Sequence, residues 1–233
     1  MDSAGDALKT EYRLRFSRNE AYRNRLWRIL CDEFFSAFVS PGMTVLDLGC
    51  GWGEFINHIR ASQKYAMDLN PDAGRRLSGE IRFLNQDCSR EWPLPSESLD
   101  VVFTSNFLEH LPDKKHIALA ISEAHRCLKS DGVILCLGPN IKYIPGAYWD
   151  FWDHLVPLTE QSISELLRLR GFEIRRQVPR FLPYSMSQGR NPPLFMARWY
   201  LKAPVLWPWF GKQFLVVGHK SAKAKAPEAV ETP

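Results

Sequence analysis

Residues 45–55 read VLDLGCGWGEF and contain the strongest structural signal in the chain. A short apolar run is followed by three glycines at alternating positions, Gly49, Gly51 and Gly53. Such a run is typical of a buried strand, and glycine is required where the backbone turns sharply or approaches a ligand closely. Because ligands of open α/β sheets bind at the carboxyl ends of strands, this loop predicts a site for a nucleoside-like cofactor.

The residues around Gly49 exclude two common phosphate-binding loops. A dinucleotide fingerprint needs a glycine where this chain has Glu54, and a carboxylate there would bring negative charge near a pyrophosphate. A P-loop needs Gly-Lys-Ser/Thr, which does not follow. The acids Asp47 and Glu54 instead favour a cofactor that carries positive charge.

Two further acids lie at the ends of the next two predicted strands. Asp68 lies 19 residues after Gly49, the offset at which a carboxylate accepts hydrogen bonds from ribose hydroxyls. Asp87 follows the third predicted strand, where a carboxylate could accept from the exocyclic amine of adenine. Each acid alone could be a cap or a turn former. Together with Asp47, they indicate one ligand site along the edge of a sheet.

Strands and helices alternate along the chain. The predicted strands are 44–48, 64–68, 81–85, 99–104, 131–137, 172–178 and 213–219. The predicted helices are 19–38, 53–62, 114–129 and 160–170. This alternation predicts an α/β fold with a doubly wound, mostly parallel sheet of seven strands. The last two strands have no clear helix between them, which favours an antiparallel last strand.

Five segments carry a resemblance to a known family: VLDLGCGWGEF, AMDLNP, LNQDCS, LDVVFTSNFLEHL and CLKSDGVILCLGPN. The chain resembles the class I S-adenosylmethionine-dependent methyltransferases of bacterial type, closely over residues 40–140. The resemblance implies a Rossmann-like fold and S-adenosylmethionine as the cofactor. It implies the following cofactor contacts: Asp47, Gly49, Gly51 and Asn106 at the methionine end, Asp68 with Leu69 at the ribose, and Asp87 with Cys88 at the adenine.

Two histidines are candidates for a general base, which a hydroxyl acceptor requires. His110 follows the fourth strand and His154 the fifth, and a structural role is the alternative for each. The neighbouring acids Asp150 and Asp153 are further candidates for the base. Near His154, the residues Tyr148, Trp149 and Asp150 predict a platform for a sugar, or else an amphipathic connector packed on the core. The spacing shows no close cluster of metal ligands, so no metal site is predicted.

The domain organisation follows from composition. We expect a flexible N-terminus at 1–12, one methyltransferase domain at 13–219 and a disordered tail at 220–233. The segment 181–211, rich in proline and aromatic residues, predicts an insertion. It could be a lid or part of the core, a contact with a membrane or a lipid-linked substrate, or an oligomer interface.

The charge of the chain limits which partners are expected. The chain has 30 Lys+Arg and 26 Asp+Glu, a net charge of +4 that falls short of a nucleic-acid-binding footprint. Residues 29–159 are net acidic and residues 160–219 net basic.

Five scattered cysteines predict free thiols in a reducing compartment. The N-terminus has no signal-peptide pattern, and no apolar run reaches 18 residues. We therefore expect a cytoplasmic protein, and contact with the membrane surface is the second possibility.

The expected activity is methyl transfer from S-adenosylmethionine to a small-molecule, saccharide or lipid-linked acceptor, at oxygen. The alternative is a protein that binds S-adenosylmethionine without catalysis and acts as a regulator or as a partner of another enzyme.

Overall fold

The computed structural model describes residues 19–184 and 191–221, and its centre is a seven-stranded sheet. The strands are β1 (Thr44–Leu48), β2 (Gln63–Met67), β3 (Ile81–Leu84), β4 (Leu99–Ser105), β5 (Leu128–Pro139), β6 (Phe172–Leu182) and β7 (Gln213–Lys220). Their order in space is β3-β2-β1-β4-β5-β7-β6. The first five are mutually parallel, and β7 runs antiparallel to both β5 and β6. The predicted fold class is therefore confirmed.

Helices cover both faces of the sheet. They are α1 (Glu20–Glu33), α2 (Lys114–Cys127), α3 (Glu160–Leu169), α4 (Leu194–Lys202) and α5 (Trp207–Phe210). The side chains of Asp113 and Thr159 cap the first turns of α2 and α3 by accepting from backbone N–H groups. These caps satisfy donors that have no partner within the helix, which fixes where each helix begins.

Successive strand residues point to opposite faces, so the sheet separates two apolar cores. On one face Leu46 and Leu48 of β1 belong to the core that α2 and α3 cover. On the other face Val45 lies in the core that includes Trp27 of α1 and Trp207 of α5. Because both faces are covered, the central strands are continuously apolar. The five cysteines are buried free thiols, as predicted.

The position of the site follows from the strand order. β1 and β4 lie side by side at the centre of the sheet, and the chain proceeds outward from them in opposite directions. In open α/β sheets a crevice forms outside the carboxyl ends of the strands at such a reversal. The loops after Leu48 and after Ser105 meet at that crevice.

The segment 53–62 differs from its prediction, because it forms turns instead of a helix. Two hydrogen bonds of α-helical spacing are donated by the N–H groups of Asn57 and Ile59. The carbonyl of Ile56, which would accept the next helical bond, accepts from Lys64 Nζ at 3.3 Å instead. The helix prediction was therefore wrong: one helical turn forms and does not propagate before β2 begins.

The predicted insertion at 181–211 includes the end of β6 together with α4 and α5. Its buried side chains Leu201 and Trp207 join the core beneath α1. Its outward side exposes large rings, among them Trp199 and Trp209. One side of the insertion is therefore packed into the core, and its other side presents an apolar surface.

The predicted terminal segments are mostly beyond the described residues. The N-terminus at 1–12 and the tail after Ser221 lie outside them, although β7 extends to Lys220, whose Nζ donates to the Leu128 carbonyl at 2.7 Å. The domain boundaries at 13 and 219 stay a prediction. Within residues 19–184 and 191–221, no helix is both long enough and apolar enough to cross a membrane.

Candidate functional site

The glycine loop after β1 uses backbone angles that glycine tolerates best. The φ angles of Gly49, Gly51 and Gly53 are 71°, 55° and 75°, all in the left-handed region. A Cβ on Gly49 would also collide with the ring of Phe107. The Gly49 N–H donates to the Met67 carbonyl at 2.9 Å, which ties the loop to the end of β2.

Asp68 follows β2, and its carboxylate supports the glycine loop. Its Oδ2 accepts from the Gly51 N–H at 2.9 Å, and its Oδ1 accepts from the Asn70 N–H at 2.8 Å. The side chain is buried, and charge-assisted bonds of this kind fix its orientation. An ionised carboxylate only accepts hydrogen bonds, so it suits hydroxyl donors such as those of a ribose.

Asp47 and Glu54 bring negative charge to both sides of the loop. Burial raises the pKa of the Asp47 carboxyl well above its usual range, and the charges of Glu54 and Asp68 add to that rise. Glu54 is paired with Arg23 of α1, whose Nε and Nη2 donate to its Oε1 at 2.9 and 2.7 Å. A cation bound beside Asp47 would offset the cost of ionising it, so the site favours a positively charged ligand.

Asp87 and Cys88 lie after β3, at the predicted adenine end. Desolvation opposes ionisation of Asp87, but the N–H and hydroxyl of Ser89, at 2.9 and 2.7 Å from its Oδ1, lower the pKa of this carboxyl below its usual range. The indole Nε1 of Trp92 donates to the Cys88 carbonyl at 2.8 Å. The backbone at this end is thus fixed, and Asp87 is held as an acceptor.

Asn106 and Phe107 follow β4 and complete the edge of the site. Asn106 has a φ of 48°, a left-handed conformation that asparagine adopts more readily than most residues, and its Nδ2 donates to Ser105 Oγ at 3.0 Å. The ring of Phe107 lies over Gly49. The loops after β1 and β4 are therefore in contact.

These residues surround one cavity of about 410 Å³. All of the predicted cofactor residues line it: Asp47, Gly49, Gly51, Asp68, Leu69, Asp87, Cys88 and Asn106. The topology thus brings together residues from four separate loops. Their individual roles stay predictions.

His110 lies at the cavity wall with a carboxylate behind it. Its Nδ1 is 2.9 Å from Asp153 Oδ2 and 3.0 Å from the Asp153 carbonyl oxygen. Both residues line the cavity. When the proton is assigned to Nδ1, this N–H donates a hydrogen bond to Asp153, and Nε2 becomes the acceptor nitrogen of the ring.

His154 and its neighbours are set back from the cavity. The His154 ring is buried 4.9 Å from the His110 ring, and it stacks on Phe151. Tyr148 is buried, and its hydroxyl donates to a backbone carbonyl, whereas Trp149 and Asp150 are exposed. Tyr148, Trp149, Asp150 and His154 do not line the cavity. Asp153, the further acidic candidate of this segment, does so.

Three potential metal ligands meet beside the cavity. Ligand atoms of Glu109, His110 and His154 lie within 4.8 Å of one another, with His110 Nε2 at 3.9 Å from Glu109 Oε1. The spacing of the sequence did not reveal this grouping, because His154 reaches it from a distant loop. That no metal binds stays a prediction.

One charged cavity residue, Arg23, was missed by sequence reasoning. It belongs to an arginine-rich segment whose pattern is typical of a solvated helix face, and nothing local indicates that it turns inward. Arg23 reaches the cavity through tertiary packing.

Comparisons with known proteins agree with this geometry. A family model described as "Methyltransferase domain" matches residues 19–177. A probable S-adenosylmethionine-dependent methyltransferase of Mycolicibacterium smegmatis is 33% identical over 150 residues, covering 57% of this chain and 53% of that protein. Cyclopropane mycolic acid synthase 1 of Mycobacterium tuberculosis is 31% identical over 107 residues, 42% of this chain and 36% of the synthase.

Two further proteins are similar. The malonyl-[acyl-carrier protein] O-methyltransferase of Serratia marcescens is 33% identical over 100 residues, covering 41% of this chain and 38% of the enzyme. The chain thus matches about half or less of the length of these relatives. The crystal structure of a SAM-dependent methyltransferase from Archaeoglobus fulgidus superposes with a TM-score of 0.64 at 20% identity, over 87% of this chain and 97% of that one. This last likeness is one of fold.

Proposed function

Because this chain belongs to the class I S-adenosylmethionine-dependent methyltransferase family, we propose that it transfers a methyl group from S-adenosylmethionine to an oxygen of a small-molecule, saccharide or lipid-linked acceptor. The observation that carries this proposal is the single cavity that gathers the glycine loop, five acids and His110 at one edge of the sheet. Family membership supports the donor; the acceptor and its oxygen rest on the residues of the site.

The residues fit S-adenosylmethionine. The left-handed glycines leave room where side chains would fill the loop, and Asp68 offers acceptors for a ribose diol. Asp87 is kept ionised by Ser89 and can accept from an amine. Ionisation of Asp47 is costly unless a cation lies near it. Phosphate groups would be repelled by these carboxylates, whereas a phosphate-free, cationic cofactor suits them.

S-adenosylmethionine supplies, when bound, a methyl group on a positively charged sulfur. The protein must hold the acceptor in line with that group and remove the acceptor's proton; positioning of this kind lowers a barrier by roughly 7–11 kcal/mol in favourable cases. We propose that His110 Nε2 receives the hydroxyl proton, while Asp153 fixes the ring and stabilises the imidazolium. His154 supports the His110 ring from the buried side.

Acceptor contacts come from the segment that supplies Asp153. We propose that Trp149 and Asp150, which are exposed, contact a saccharide or similar acceptor through ring stacking and hydrogen bonds. Tyr148 holds the segment in place, since its hydroxyl donates to the Val156 carbonyl. The named activity of the Serratia relative, O-methylation, supports oxygen as the methylated atom, although the Mycobacterium tuberculosis relative is named for a cyclopropane mycolic acid.

We also propose that the protein works in the cytoplasm and contacts the membrane through its insertion. The outward side of α4 and α5 exposes Trp199 by 75% and Trp209 by 77%. Residues 191–212 contain arginine and lysine and no acid. Exposed indoles combined with basic side chains are typical of helices that lie in the headgroup region of anionic membranes.

Transfer of a labelled methyl group tests the function. Purified protein and methyl-labelled S-adenosylmethionine are incubated with metabolite, glycan and lipid fractions, and the labelled product is identified by mass and fragmentation. We expect a labelled methyl ether or ester that is absent when the protein is omitted. Label on nitrogen or carbon only would contradict the proposed oxygen specificity.

A further inference from the structure

The insertion and the cavity lie at the same edge of the sheet. β6 ends at Leu182, which pairs with Gln213 at the start of β7, and Gln213 also pairs with Pro139 at the end of β5. Because β5 and β6 are both antiparallel to β7, they run in the same direction, and the chain leaves β6 at the carboxyl edge. The insertion therefore begins and ends at the edge that carries the cofactor cavity.

Contacts on two sides hold the insertion beside the cavity. On one side, the Tyr22 hydroxyl of α1 donates to the Pro192 carbonyl at 2.6 Å. On the other side, Arg180 Nη2 donates to the Trp209 carbonyl at 2.9 Å, and its guanidinium carbon lies 4.7 Å from the ring centroid of Tyr143, in the chain after β5. The insertion thus bridges α1 and the chain after β5, both of which contribute to the cavity wall.

The chain after β5 also makes the rim of the cavity apolar. Asp153 lines the cavity, and Trp152 beside it is 95% exposed. Leu155, two residues after Asp153, is exposed as well. Phe151 of the same segment packs against Tyr184 of the insertion, with 6.1 Å between the ring centroids. Because apolar side chains exposed together mark a binding surface, the rim and the insertion form adjoining apolar surfaces.

The size of the cavity limits how much of an acceptor it can enclose. Its volume of about 410 Å³ lies near the lower end of the range for a site that holds one drug-sized ligand. With S-adenosylmethionine bound, the cavity has room for the reacting group of the acceptor, and the remainder of the acceptor must lie on the rim. Because Trp152 and Leu155 are apolar, the part of the acceptor that fits the rim is also apolar. An acceptor with a hydroxyl inside and a hydrocarbon chain outside is an amphiphile.

We propose that the acceptor is a lipid that stays in the membrane while it is methylated, an inference that rests on the proposed function. The head of the lipid brings its hydroxyl to His110, and its hydrocarbon chain passes over Trp152 and Leu155 into the bilayer that the insertion contacts. The methyl group passes to the lipid oxygen, the hydroxyl proton goes to His110 Nε2, and S-adenosylhomocysteine is released. Contact of the insertion with the membrane brings the mouth of the cavity to the headgroup layer.

Transfer of a labelled methyl group to one lipid extract in two physical forms tests this inference. The total lipid extract of the source cell is presented either as vesicles with added phosphatidylglycerol or dispersed in a nonionic detergent, and the water-soluble metabolites are a third sample. The proteins are wild type, Trp199→Ser/Trp209→Ser, Trp152→Ser and the control Leu169→Ser, which removes an exposed apolar side chain of α3. We expect wild type to place the label in a lipid product.

The variants separate contact with the membrane from contact with the lipid chain. The double variant should be at least about 10-fold slower than wild type on vesicles and within about threefold of it in detergent, because two indoles no longer enter the bilayer. Trp152→Ser should be about 3- to 10-fold slower in both forms, because the lipid chain loses an apolar contact, and its affinity for S-adenosylhomocysteine should be unchanged. Leu169→Ser should match wild type in every sample.

The contradicting results differ for each part of the inference. Label confined to water-soluble products would overturn the lipid acceptor and leave the methyltransferase proposal intact. A double variant with the same relative rate on vesicles as in detergent would overturn delivery from the membrane, and Trp152→Ser with wild-type rates would overturn the path over the rim. Absence of labelled product from all three samples would overturn the proposed function as well.

Discussion

At the scale of single residues, Asp68 is the carboxylate whose surroundings are most completely defined. Removing it takes away acceptors for two backbone N–H groups and for the proposed ribose hydroxyls. Hydrogen bonds to charged groups contribute about 1.5–3 kcal/mol each. We therefore expect Asp68→Ala to weaken S-adenosylhomocysteine binding by roughly 10- to 100-fold in a calorimetric titration. Asp72→Ala, in the same loop, is the control; equal affinities of wild type and Asp68→Ala would contradict the assignment.

Asp47 links stability of the empty protein to pH. Its folded pKa is raised by burial first and by Glu54 and Asp68 second, so its contribution to stability is complete below the unfolded pKa of about 3.9 and is lost as pH rises through the folded pKa. We expect Asp47→Asn to raise the melting temperature of the ligand-free protein at pH 7, with the difference vanishing near about pH 4.

The same substitution should weaken cofactor binding in a charge-dependent way. Asp47→Asn removes a negative charge, so it should reduce the affinity for cationic S-adenosylmethionine more than that for uncharged-sulfur S-adenosylhomocysteine. Melting curves from pH 4 to 8, with Asp32→Asn as an exposed control, and paired titrations measure both effects. A lower melting temperature for Asp47→Asn at pH 7 would show that the carboxylate does not destabilise the folded state.

His110 is the residue on which acceptor activation depends. We expect His110→Ala to lower kcat by about 100-fold or more with little change in cofactor affinity, because a positioned base contributes about 10²–10⁴-fold. Asp153→Asn should lower kcat by less, and His58→Ala, which lies outside the cavity lining, should have no effect. EDTA should leave the wild-type rate unchanged; loss of activity with EDTA and its return with a divalent cation would indicate a metal at Glu109, His110 and His154.

At the scale of residues, the sequence predicted those site residues whose position relative to a strand can be read locally. Asp47, Asp68 and Asp87 were identified because each lies in or shortly after a predicted strand. An error of a few residues in a strand boundary does not change that assignment. Arg23 could not be found in this way. Its inward orientation depends on where α1 packs against the glycine loop, a tertiary property that leaves no trace in the spacing of residues 20–33.

At the scale of elements, the glycine loop is the most constrained part of the molecule. A side chain at Gly49 would have to adopt a φ of 71° and would collide with Phe107. The left-handed conformation alone costs a non-glycine residue about 1–2 kcal/mol. We expect Gly49→Ala to lower the melting temperature and to abolish S-adenosylhomocysteine binding. Gly42→Ala, where a Cβ meets nothing within 4 Å, should resemble wild type; a Gly49→Ala variant that stays stable and binds the ligand would contradict this role of the loop.

Element prediction succeeded where glycines or caps mark the ends of a segment, and it failed at 53–62, where a tertiary contact ends the helix. β1, α2 and α3 were predicted within a few residues because their apolar patterns run over several turns or are bounded by glycines and caps. The segment at 53–62 spans ten residues, as α3 does, but α3 begins at the Thr159 cap, whereas at 53–62 the Ile56 carbonyl accepts from Lys64 Nζ and the helix stops after one turn. Local pattern alone could not distinguish these cases.

At the scale of the whole molecule, the insertion gives one side of the protein an apolar, basic surface. We expect the protein to float with vesicles that contain anionic phospholipid and to float less with neutral vesicles or at high salt. Trp199→Ser/Trp209→Ser should abolish flotation. Trp207 is unsuitable for this test, because it is buried and its Nε1 donates to the Tyr200 carbonyl.

A matched control lies across the sheet from the insertion. Leu169 is 65% exposed at the end of α3, which covers the opposite face, so Leu169→Ser removes an exposed apolar side chain elsewhere. This variant should float like wild type. Wild-type protein that stays at the bottom of the gradient with every vesicle composition would contradict the proposed membrane contact. The methyltransferase proposal would be unaffected.

The central claim is that the cavity at the carboxyl edge of the sheet binds S-adenosylmethionine, and calorimetric titration of the purified protein with S-adenosylhomocysteine tests it most directly. We predict saturable binding to one site per chain, and no binding of a phosphate-containing dinucleotide under the same conditions. Absence of S-adenosylhomocysteine binding at high micromolar concentrations, by a protein that melts cooperatively, would contradict the claim.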